Sequence, residues 1–353
     1  MPFVLHRLAM MLIAIAATLA TPIAGAAQWQ MQDSHSTASL RGIHAANDSV
    51  AWASGSEGTI LRTGDGGLHW QRCATPPGAE KLDFRGVWAW DTENAVVLSS
   101  GPGELSRVYK TTDGCAHWTE EAQNHDPQGF WDALVFEDEE TGVLIGDPLK
   151  GHFETLVMIS GPGWVADEKA CPARDGEAGF AASNSALFVF GPRRYVIATG
   201  GKAGPRVLLS PLLAYNDSNK ECLATSVPLA AGNESSGAFS ISFRDLKHGV
   251  VVGGDYKKPD LAAGTAAWTA DGGHRWTAPS KPPHGYRSAV AWYPDANVWV
   301  AVGTNGSDIS RDDGKTWQVL DDGKWNAVSP PFAVGPGGQI GKLPAESLSV
   351  KPR

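Results

Sequence analysis

A motif of eight residues occurs four times in this chain. Each copy has a hydroxyl residue first, an aspartate at the third position and a tryptophan at the eighth, and the copies are residues 63–70, 111–118, 269–276 and 310–317. The aspartate is expected to accept backbone N–H bonds within its own tight turn, where glycine supplies a positive φ. The tryptophan begins the next strand and buries its ring between neighbouring sheets. The repeat therefore predicts an array of equivalent β units.

A second repeated element gives the number of units. Alternating strands begin at Leu40, Phe84, Phe130, Phe180, Phe239, Tyr286 and Trp325, which are 39 to 59 residues apart. This spacing is typical of propeller blades with four short strands each. We therefore predict an all-β fold, a seven-bladed β-propeller over residues 28–343.

The two ends of the chain are expected to close the ring. The segment that begins at Gln28 and Trp29 copies the outer strands that follow Trp70 and Trp317, and the seventh unit is too short to supply its own fourth strand. An N-terminal strand that completes the seventh blade leaves no open sheet edge. The alternative is that Trp29 only anchors a tail. Residues 344–353 are predicted to form a flexible C-terminal tail.

The first 26 residues have the pattern of a secretory signal. His6 and Arg7 precede an apolar run over residues 8–19, and small residues follow at 24–27. This predicts cleavage after Ala26 or Ala27 and a protein exported to the periplasm or the extracellular space. An uncleaved anchor is the alternative; no other segment approaches the ~20 apolar residues of a span. We expect a monomer without a stable membrane span after cleavage.

Composition argues against one class of partner. The net charge is −9, charged residues are 19% of the chain, and lysines and arginines form no block. Nucleic-acid binding is therefore not expected.

The four cysteines favour two disulfides. An even number in an exported chain is compatible with full pairing, and no two cysteines lie close enough to form the usual pair of metal ligands. Three connectivities are possible. We favour Cys73–Cys115 and Cys171–Cys222, since Cys73 follows one motif tryptophan and Cys115 lies in the next motif turn. No metal and no cofactor are expected.

Binding residues are expected where the inner strands begin, around the channel. Arg41, Arg85 and Arg287 occupy matching positions in three units. Arginine offers planar bidentate donors, so three of them would bind a carboxylate, a phosphate or an acidic partner segment. The alternative is that each arginine pairs with an acidic neighbour. The other candidates on this face are Trp131, Asp132, Asp255, Tyr256 and Lys257.

The four motifs resemble the Asp-box (BNR) repeat, [ST]-x-D-x-G-x-x-W, which occurs in the Ycf48/Hcf136-like family and in sialidases. The positions that carry the resemblance are Asp65, Trp70, Asp113, Trp118, Asp271, Trp276, Asp312 and Trp317. The second copy has Cys115 where glycine is expected. The resemblance implies that these residues are structural and lie away from the functional face. It also implies a non-catalytic platform that contacts a protein client or a small anionic ligand through an arginine-containing face.

A sialidase-like glycoside hydrolase is the alternative function. Such a site needs three arginines on the substrate carboxylate and a tyrosine nucleophile, which Tyr256 or Tyr286 would supply. The Phe/Tyr-Arg-Ile-Pro segment typical of sialidases is absent, and sialidases have six blades. No residue is therefore assigned as catalytic.

Overall fold

The computed structural model describes residues 28–159, 161, 163–190, 194–211 and 221–348. These residues form seven antiparallel sheets, which confirms the predicted seven-bladed propeller. The predicted signal, residues 1–26, lies outside the described residues.

Strand bounds in the first half of the chain are as follows. The first strand is β1 (Gln30–Gln32). Blade 1 contains β2 (Leu40–Ala45), β3 (Ala51–Gly55), β4 (Ile60–Thr63) and β5 (Gln71–Arg72). Blade 2 contains β6 (Phe84–Ala89), β7 (Ala95–Ser99), β8 (Arg107–Thr111) and β9 (Thr119–Gln123). Blade 3 contains β10 (Trp131–Phe136), β11 (Thr141–Leu149), β12 (His152–Ile159) and β13 (Val165–Ala166).

The second half of the chain continues the pattern. Two short strands, β14 (Glu177–Ala178) and β17 (Gly200–Gly201), join the inner edge of blade 5. Blade 4 contains β15 (Leu187–Val189), β16 (Tyr195–Ala198), β18 (Arg206–Leu209) and β19 (Leu223–Ser226). Blade 5 contains β20 (Ser236–Phe243), β21 (Gly249–Asp255) and β22 (Ala266–Thr269). Blade 6 contains β23 (Ala289–Tyr293), β24 (Val298–Gly303), β25 (Gly306–Ser310) and β26 (Gln318–Asp321). Blade 7 contains β27 (Ala327–Ser329), β28 (Phe332–Val334) and β29 (Ile340–Lys342).

The blades pack on one another through both faces of each sheet. In β7, Val97 belongs to an apolar cluster with Trp52 of blade 1, whereas Val96 and Leu98 belong to a cluster with Leu134 of blade 3. Successive side chains of a strand point to opposite faces, and both faces are buried against a neighbouring blade. The sequences of the middle strands are therefore continuous apolar runs. The core therefore lies between blades.

Blade 7 closes the ring through its contacts on both sides. Its outermost strand is β1, which pairs with β29 from Gln30–Lys342 to Gln32–Ile340. Phe332 and Val334 pack with Leu40 and Leu61 of blade 1. Trp29 packs with blade 6 on the opposite face.

The four motif turns, which we call the Asp turns, share one set of hydrogen bonds. In the first, Thr63 Oγ1 donates to Asp65 Oδ1 over 2.9 Å, and Asp65 Oδ1 accepts the N–H of His69 over 3.0 Å. The other three turns repeat both bonds, with Thr111 and Asp113, Thr269 and Asp271, and Ser310 and Asp312. In each turn the local carboxylate thus accepts one backbone N–H, as the motif predicted, and the hydroxyl oxygen of the first residue accepts others, such as the N–H of Gly67 in the first turn.

The tryptophan of each Asp turn packs against the preceding blade. Trp70 contacts Phe332 of blade 7 edge-to-face at 5.7 Å between ring centroids, and Trp118 contacts Trp52 of blade 1 at 6.5 Å. Trp276 and Trp317 join the clusters with blades 4 and 5. The ring of each tryptophan therefore lies between sheets.

Two disulfides join the cysteine pairs favoured from the sequence. Cys73 is bonded to Cys115 with 5.4 Å between Cα atoms, and Cys171 to Cys222 with 5.5 Å. Cys115 has φ of 65°, close to the φ of 85° at Gly67 in the first turn. The turn geometry is therefore kept without glycine.

The chain remains packed beyond Leu343. Residues Ala345–Leu348 form a short α-helix, and Leu348 is buried against blade 6. The rest of the predicted tail, residues 349–353, lies outside the described residues. No helix in the described part of the chain has the length and apolar character needed to cross a bilayer.

Candidate functional site

A β-bulge near the start of the inner strand positions the residues around the channel. In blade 1, Leu40 pairs with Gly55 and Gly42 with Ser54, so Arg41 is skipped in the ladder. The residues skipped in the same way are Arg85 in blade 2, Asp132 in blade 3 and Phe239 in blade 5. A bulge turns its extra residue out of the alternation of the strand.

Glycine contacts identify the equivalent positions in blades 6 and 7. A Cβ added to Gly55 would lie 2.9 Å from the Cα of Leu40. In the same way, a Cβ added to Gly303 would lie 3.1 Å from the Cα of Arg287, and a Cβ added to Gly335 would lie 3.5 Å from the Cα of Trp325. Leu40, Arg287 and Trp325 are therefore equivalent. The residues that correspond to Arg41 are the next in the chain, Ser288 and Asn326.

The register corrects two of the predicted site residues. Trp131 and Arg287 precede the channel-facing position by one residue, and both are buried in the blades. A shift of one residue turns a side chain to the other face of a strand. Asp132 and Ser288 occupy the channel-facing positions instead.

The six equivalent side chains surround one cavity, which we call the mouth cavity. Its volume is about 490 Å³. The equivalent residues in its lining are Arg41, Arg85, Asp132, Phe239, Ser288 and Asn326. Inner, second and third strands alternate in direction, so the Asp turns lie at the opposite end of the blades.

Two arginines on adjacent blades share one carboxylate. Arg85 Nε donates to Asp83 Oδ2 over 2.8 Å, and Arg41 Nε lies 3.9 Å from Asp83 Oδ1. Arg85 Nη1 also donates to the carbonyl oxygen of Ala181 over 3.2 Å. Because two positive charges face a single negative one, this part of the mouth suits an anionic group.

Aromatic side chains form the wall on the other side of the mouth, and we call Phe180, Phe239, Tyr256 and Tyr286 the aromatic wall. Phe180 and Phe239 stack with ring centroids 3.8 Å apart. Tyr286 and Tyr256 meet Phe239 edge-to-face at 4.9 and 6.1 Å. The wall offers a rigid apolar surface to a ligand.

Two carboxyl groups lie between the arginines and the aromatic wall, and we call Asp132 and Asp147 the acidic corner. Burial and the nearby Asp147 hold the pKa of Asp132 well above its usual range, against the attraction of Arg85. Burial also raises the pKa of Asp147, although Asp147 Oδ1 accepts the backbone N–H of Gly179 over 3.0 Å. Asp132 is only 2% exposed. The corner is therefore costly to charge in the free protein.

We expect Asp132→Asn to stabilise the protein increasingly as the pH rises. The native pKa of Asp132 lies above the unfolded value of about 3.8, so the unfolded chain binds fewer protons between the two values. Between these two pKa values the free energy of unfolding of the parent protein falls by up to about 1.4 kcal/mol per pH unit. The free energy of unfolding of the asparagine variant does not fall for this reason. Urea unfolding from pH 3.5 upward measures the difference.

The exposed Asp48, at the Asp-turn end, provides the control. Asp48→Asn removes one carboxyl from the surface, so comparing its stability with that of Asp132→Asn at each pH isolates the effect of burial. A pH-independent difference between Asp132→Asn and the parent would show that the native carboxyl is already ionised.

The predicted residues of the blade 5 loop divide into two groups. Tyr256 lines the mouth cavity and is 47% exposed. Asp255 is buried and accepts bonds from Ser235 Oγ over 2.7 Å and the N–H of Lys257 over 3.0 Å. Asp255 therefore organises the loop, and the exposed Lys257 lies outside the cavity lining.

Arg287 has a structural environment. Its guanidinium is fully buried, donates to Asp308 Oδ2 through Nε over 2.7 Å and to Asn305 Oδ1 through Nη1 over 2.7 Å. Arg287 is thus paired with an acidic neighbour, which was the alternative to a binding role for this residue. The three-arginine arrangement of a sialidase-like site does not form from Arg41, Arg85 and Arg287, and burial raises the pKa of Tyr286.

The other end of the channel has a different character. Its cavity, about 440 Å³, is lined mainly by apolar side chains such as Ile43, Val87 and Leu134. Burial lowers the pKa of His44 to about 4, and the ring lies 4.1 Å from that of Trp88. The charged groups that face the channel are therefore concentrated at the mouth.

Comparison with known proteins identifies the fold alone. No family model and no curated protein matches this chain. A structure of YCF48 bound to a D1 peptide superposes with a TM-score of 0.60 at 16% identity, covering 89% of this chain and 94% of that one. YCF48 from Cyanidioschyzon merolae gives 0.59 at 16% identity, covering 91% and 100%. The WD40 β-propeller domain of Doa1 gives 0.59 at 13% identity, covering 92% and 99%.

Proposed function

We propose that this protein is an exported, non-catalytic propeller that binds a segment of a client protein in the mouth cavity and serves as an assembly platform, in the manner of Ycf48/Hcf136-like proteins. The signal pattern of residues 1–26 supports export. The Asp turns, which we interpret as Asp boxes, support the architecture. We further propose that the protein acts as a monomer.

The arginine pair is the observation that carries this proposal. Arg41 and Arg85 are partly exposed, line the cavity and have Asp83 as their shared carboxylate. A carboxylate of the client, from an acidic side chain or a chain terminus, would accept charge-assisted hydrogen bonds from them. The aromatic wall opposite would cover an apolar side chain of the same segment.

The shape of the mouth favours an extended ligand. Asp147 lines both the mouth cavity and a second cavity of about 570 Å³, which runs beside Pro148, Gly151 and Gly176. An extended peptide that passes Asp147 would occupy both of these cavities. One of the structural neighbours is bound to a D1 peptide, which is the class of ligand proposed for this mouth.

Replacing both arginines of the pair should weaken binding by at least about tenfold. The double variant Arg41→Gln/Arg85→Gln removes the charge-assisted bonds, each about 1.5–3 kcal/mol, from a mouth that keeps its shape. Peptides selected from a random dodecapeptide library on the parent protein provide the probes. Fluorescence anisotropy then measures their dissociation constants.

A matched control separates the pair from the general effect of charge. Arg72 and Arg275 are exposed and outside the mouth, so Arg72→Gln/Arg275→Gln removes the same charge elsewhere. Equal losses in the two double variants, or a library that yields no binder, would contradict the proposal.

A further inference from the structure

The acidic corner contains a buried carboxyl oxygen that the protein leaves without a hydrogen bond. Asp132 lines the mouth cavity, and its Oδ2 has no hydrogen-bond partner among the described residues. Gly179 packs directly against this atom, since a Cβ there would lie 2.2 Å from Oδ2. Buried polar atoms are generally hydrogen-bonded, so an oxygen of this kind beside a cavity points to a partner supplied from outside.

We propose that the acidic corner binds a positively charged group of the ligand, so that the client segment carries a lysine or arginine side chain close to its carboxylate. The inference rests on the proposed function, because it takes the mouth cavity as the site of a peptide. It adds that the mouth recognises a pair of opposite charges and not an anion alone.

The aromatic wall strengthens the assignment of a cation. Phe180 follows Gly179 directly in the chain, and Gly179 contacts both carboxyl groups of the corner. Phe180 is itself stacked on Phe239. An ammonium or guanidinium group is attracted by aromatic faces as well as by carboxylates. The cavity therefore offers both kinds of partner to one cationic side chain.

The positions of Arg85 and Asp132 determine how the two ligand charges are arranged. They are the bulge residues of adjacent blades and face the same cavity. A segment that crosses from blade 2 to blade 3 would bring its carboxylate to Arg85 and its cation to Asp132. Neighbouring residues of a peptide supply that pair.

Charge balance gives the binding reaction a second signature. The charged groups that act on Asp132 are Asp147 and Glu154, which raise its pKa, and Arg85, which lowers it. A cation in the corner favours the ionised carboxylate. Entry of the cationic side chain would therefore release a proton to the solvent over the pH range in which Asp132 is protonated in the free protein.

Eight capped hexapeptides test the inference. Each peptide begins with Gly-Phe and ends with Ala-Gly. Its two central residues are Glu and Lys, Glu and norleucine, Gln and Lys, or Gln and norleucine, and each pair is made in both orders. We expect the better Glu–Lys order to bind the parent protein about tenfold more tightly than its Glu–norleucine match. Titration calorimetry in two non-phosphate buffers with different ionisation enthalpies, repeated between pH 4 and 7, should show release of protons with Glu–Lys over part of this range and not with Glu–norleucine.

Variants assign the effect to the corner. The affinity ratio of Glu–Lys to Glu–norleucine should fall to about one in Asp132→Asn and stay about tenfold in the control Asp48→Asn. Asp147→Asn should reduce the same ratio, which keeps the test available if Asp132→Asn fails to fold.

The outcomes distinguish this inference from the proposed function. If Glu–norleucine binds as tightly as Glu–Lys and Arg41→Gln/Arg85→Gln weakens both, the inference is wrong and the proposed function stands. If a Gln–Lys peptide binds as tightly as Glu–Lys, the cation alone is recognised, and the proposal that the mouth recognises a pair of opposite charges is wrong. If none of the hexapeptides binds although library peptides do, the inference is wrong and the proposed function stands; if the library yields no binder either, both are contradicted.

Discussion

Arg287→Gln is expected to lower the free energy of unfolding by about 3–5 kcal/mol, because it leaves Asp308 as a buried charge without its main partner. Both side chains are almost fully buried, and two guanidinium nitrogens of Arg287 donate to Asp308 Oδ2. Arg287 also ties the backbone of Tyr286 to Asn305. The substitution therefore disrupts several buried hydrogen bonds and not one surface contact, although His284 keeps its contact with Asp308.

Thermal and urea unfolding of Arg287→Gln measure this effect. A loss of this size corresponds to a decrease in melting temperature on the order of 10 °C. Arg85→Gln is the matched comparison at the mouth and should cost less than about 1 kcal/mol. The double variant Arg287→Met/Asp308→Leu should be more stable than Arg287→Gln, since it leaves no unpaired charge. A melting temperature of Arg287→Gln within two or three degrees of the parent would show that the pair is not structural.

Trp29→Ala is the second substitution with a large expected effect, about 3–5 kcal/mol. Trp29 is 5% exposed, lies 5.0 Å from Trp325 between ring centroids, and donates from Nε1 to Ser307 Oγ over 3.0 Å. Its loss leaves a cavity between blades 6 and 7 and removes the donor to Ser307 Oγ, which then keeps only its own hydrogen bond to Asp321 Oδ1. Strand β1 then holds blade 7 less firmly.

Urea unfolding with a fluorescence probe remote from blade 7 measures whether this damage spreads through the ring. Met31→Ala is the control, because Met31 lies in the same strand and is 59% exposed. It should change stability by less than about 0.5 kcal/mol. Equal stability of Trp29→Ala and Met31→Ala would mean that the N-terminal strand does not contribute to the closed ring.

The fold could be predicted because its signals are local. The hydroxyl residue, the aspartate and the small residue of each Asp turn lie within five positions, and their hydrogen bonds form within the eight-residue motif. The tryptophan that follows needs only a neighbouring sheet to bury its ring. The seven repeated strand starts then give the blade number without knowledge of the exact pairing.

The mouth was predicted only in part. Arg41, Arg85, Asp132 and Tyr256 line the cavity, as expected for the channel face. Phe239 was treated as the start of a strand, although its bulge position turns it into the cavity. Phe180 and Tyr286 are aromatic residues at strand starts. Their shared aromatic character is the sequence signal from which the aromatic wall could be predicted.

The sequence by itself determined the closed ring of repeated sheets and the turns that hold them, because these depend on short-range hydrogen bonds and on apolar residues at regular intervals. Only the tertiary structure decided which side chains face the channel. That choice depends on the register of each inner strand against its neighbour, and one skipped residue exchanges Trp131 for Asp132 at the mouth. The same pairing places Arg287 beside Asp308 in the blade and Ser288 in the cavity.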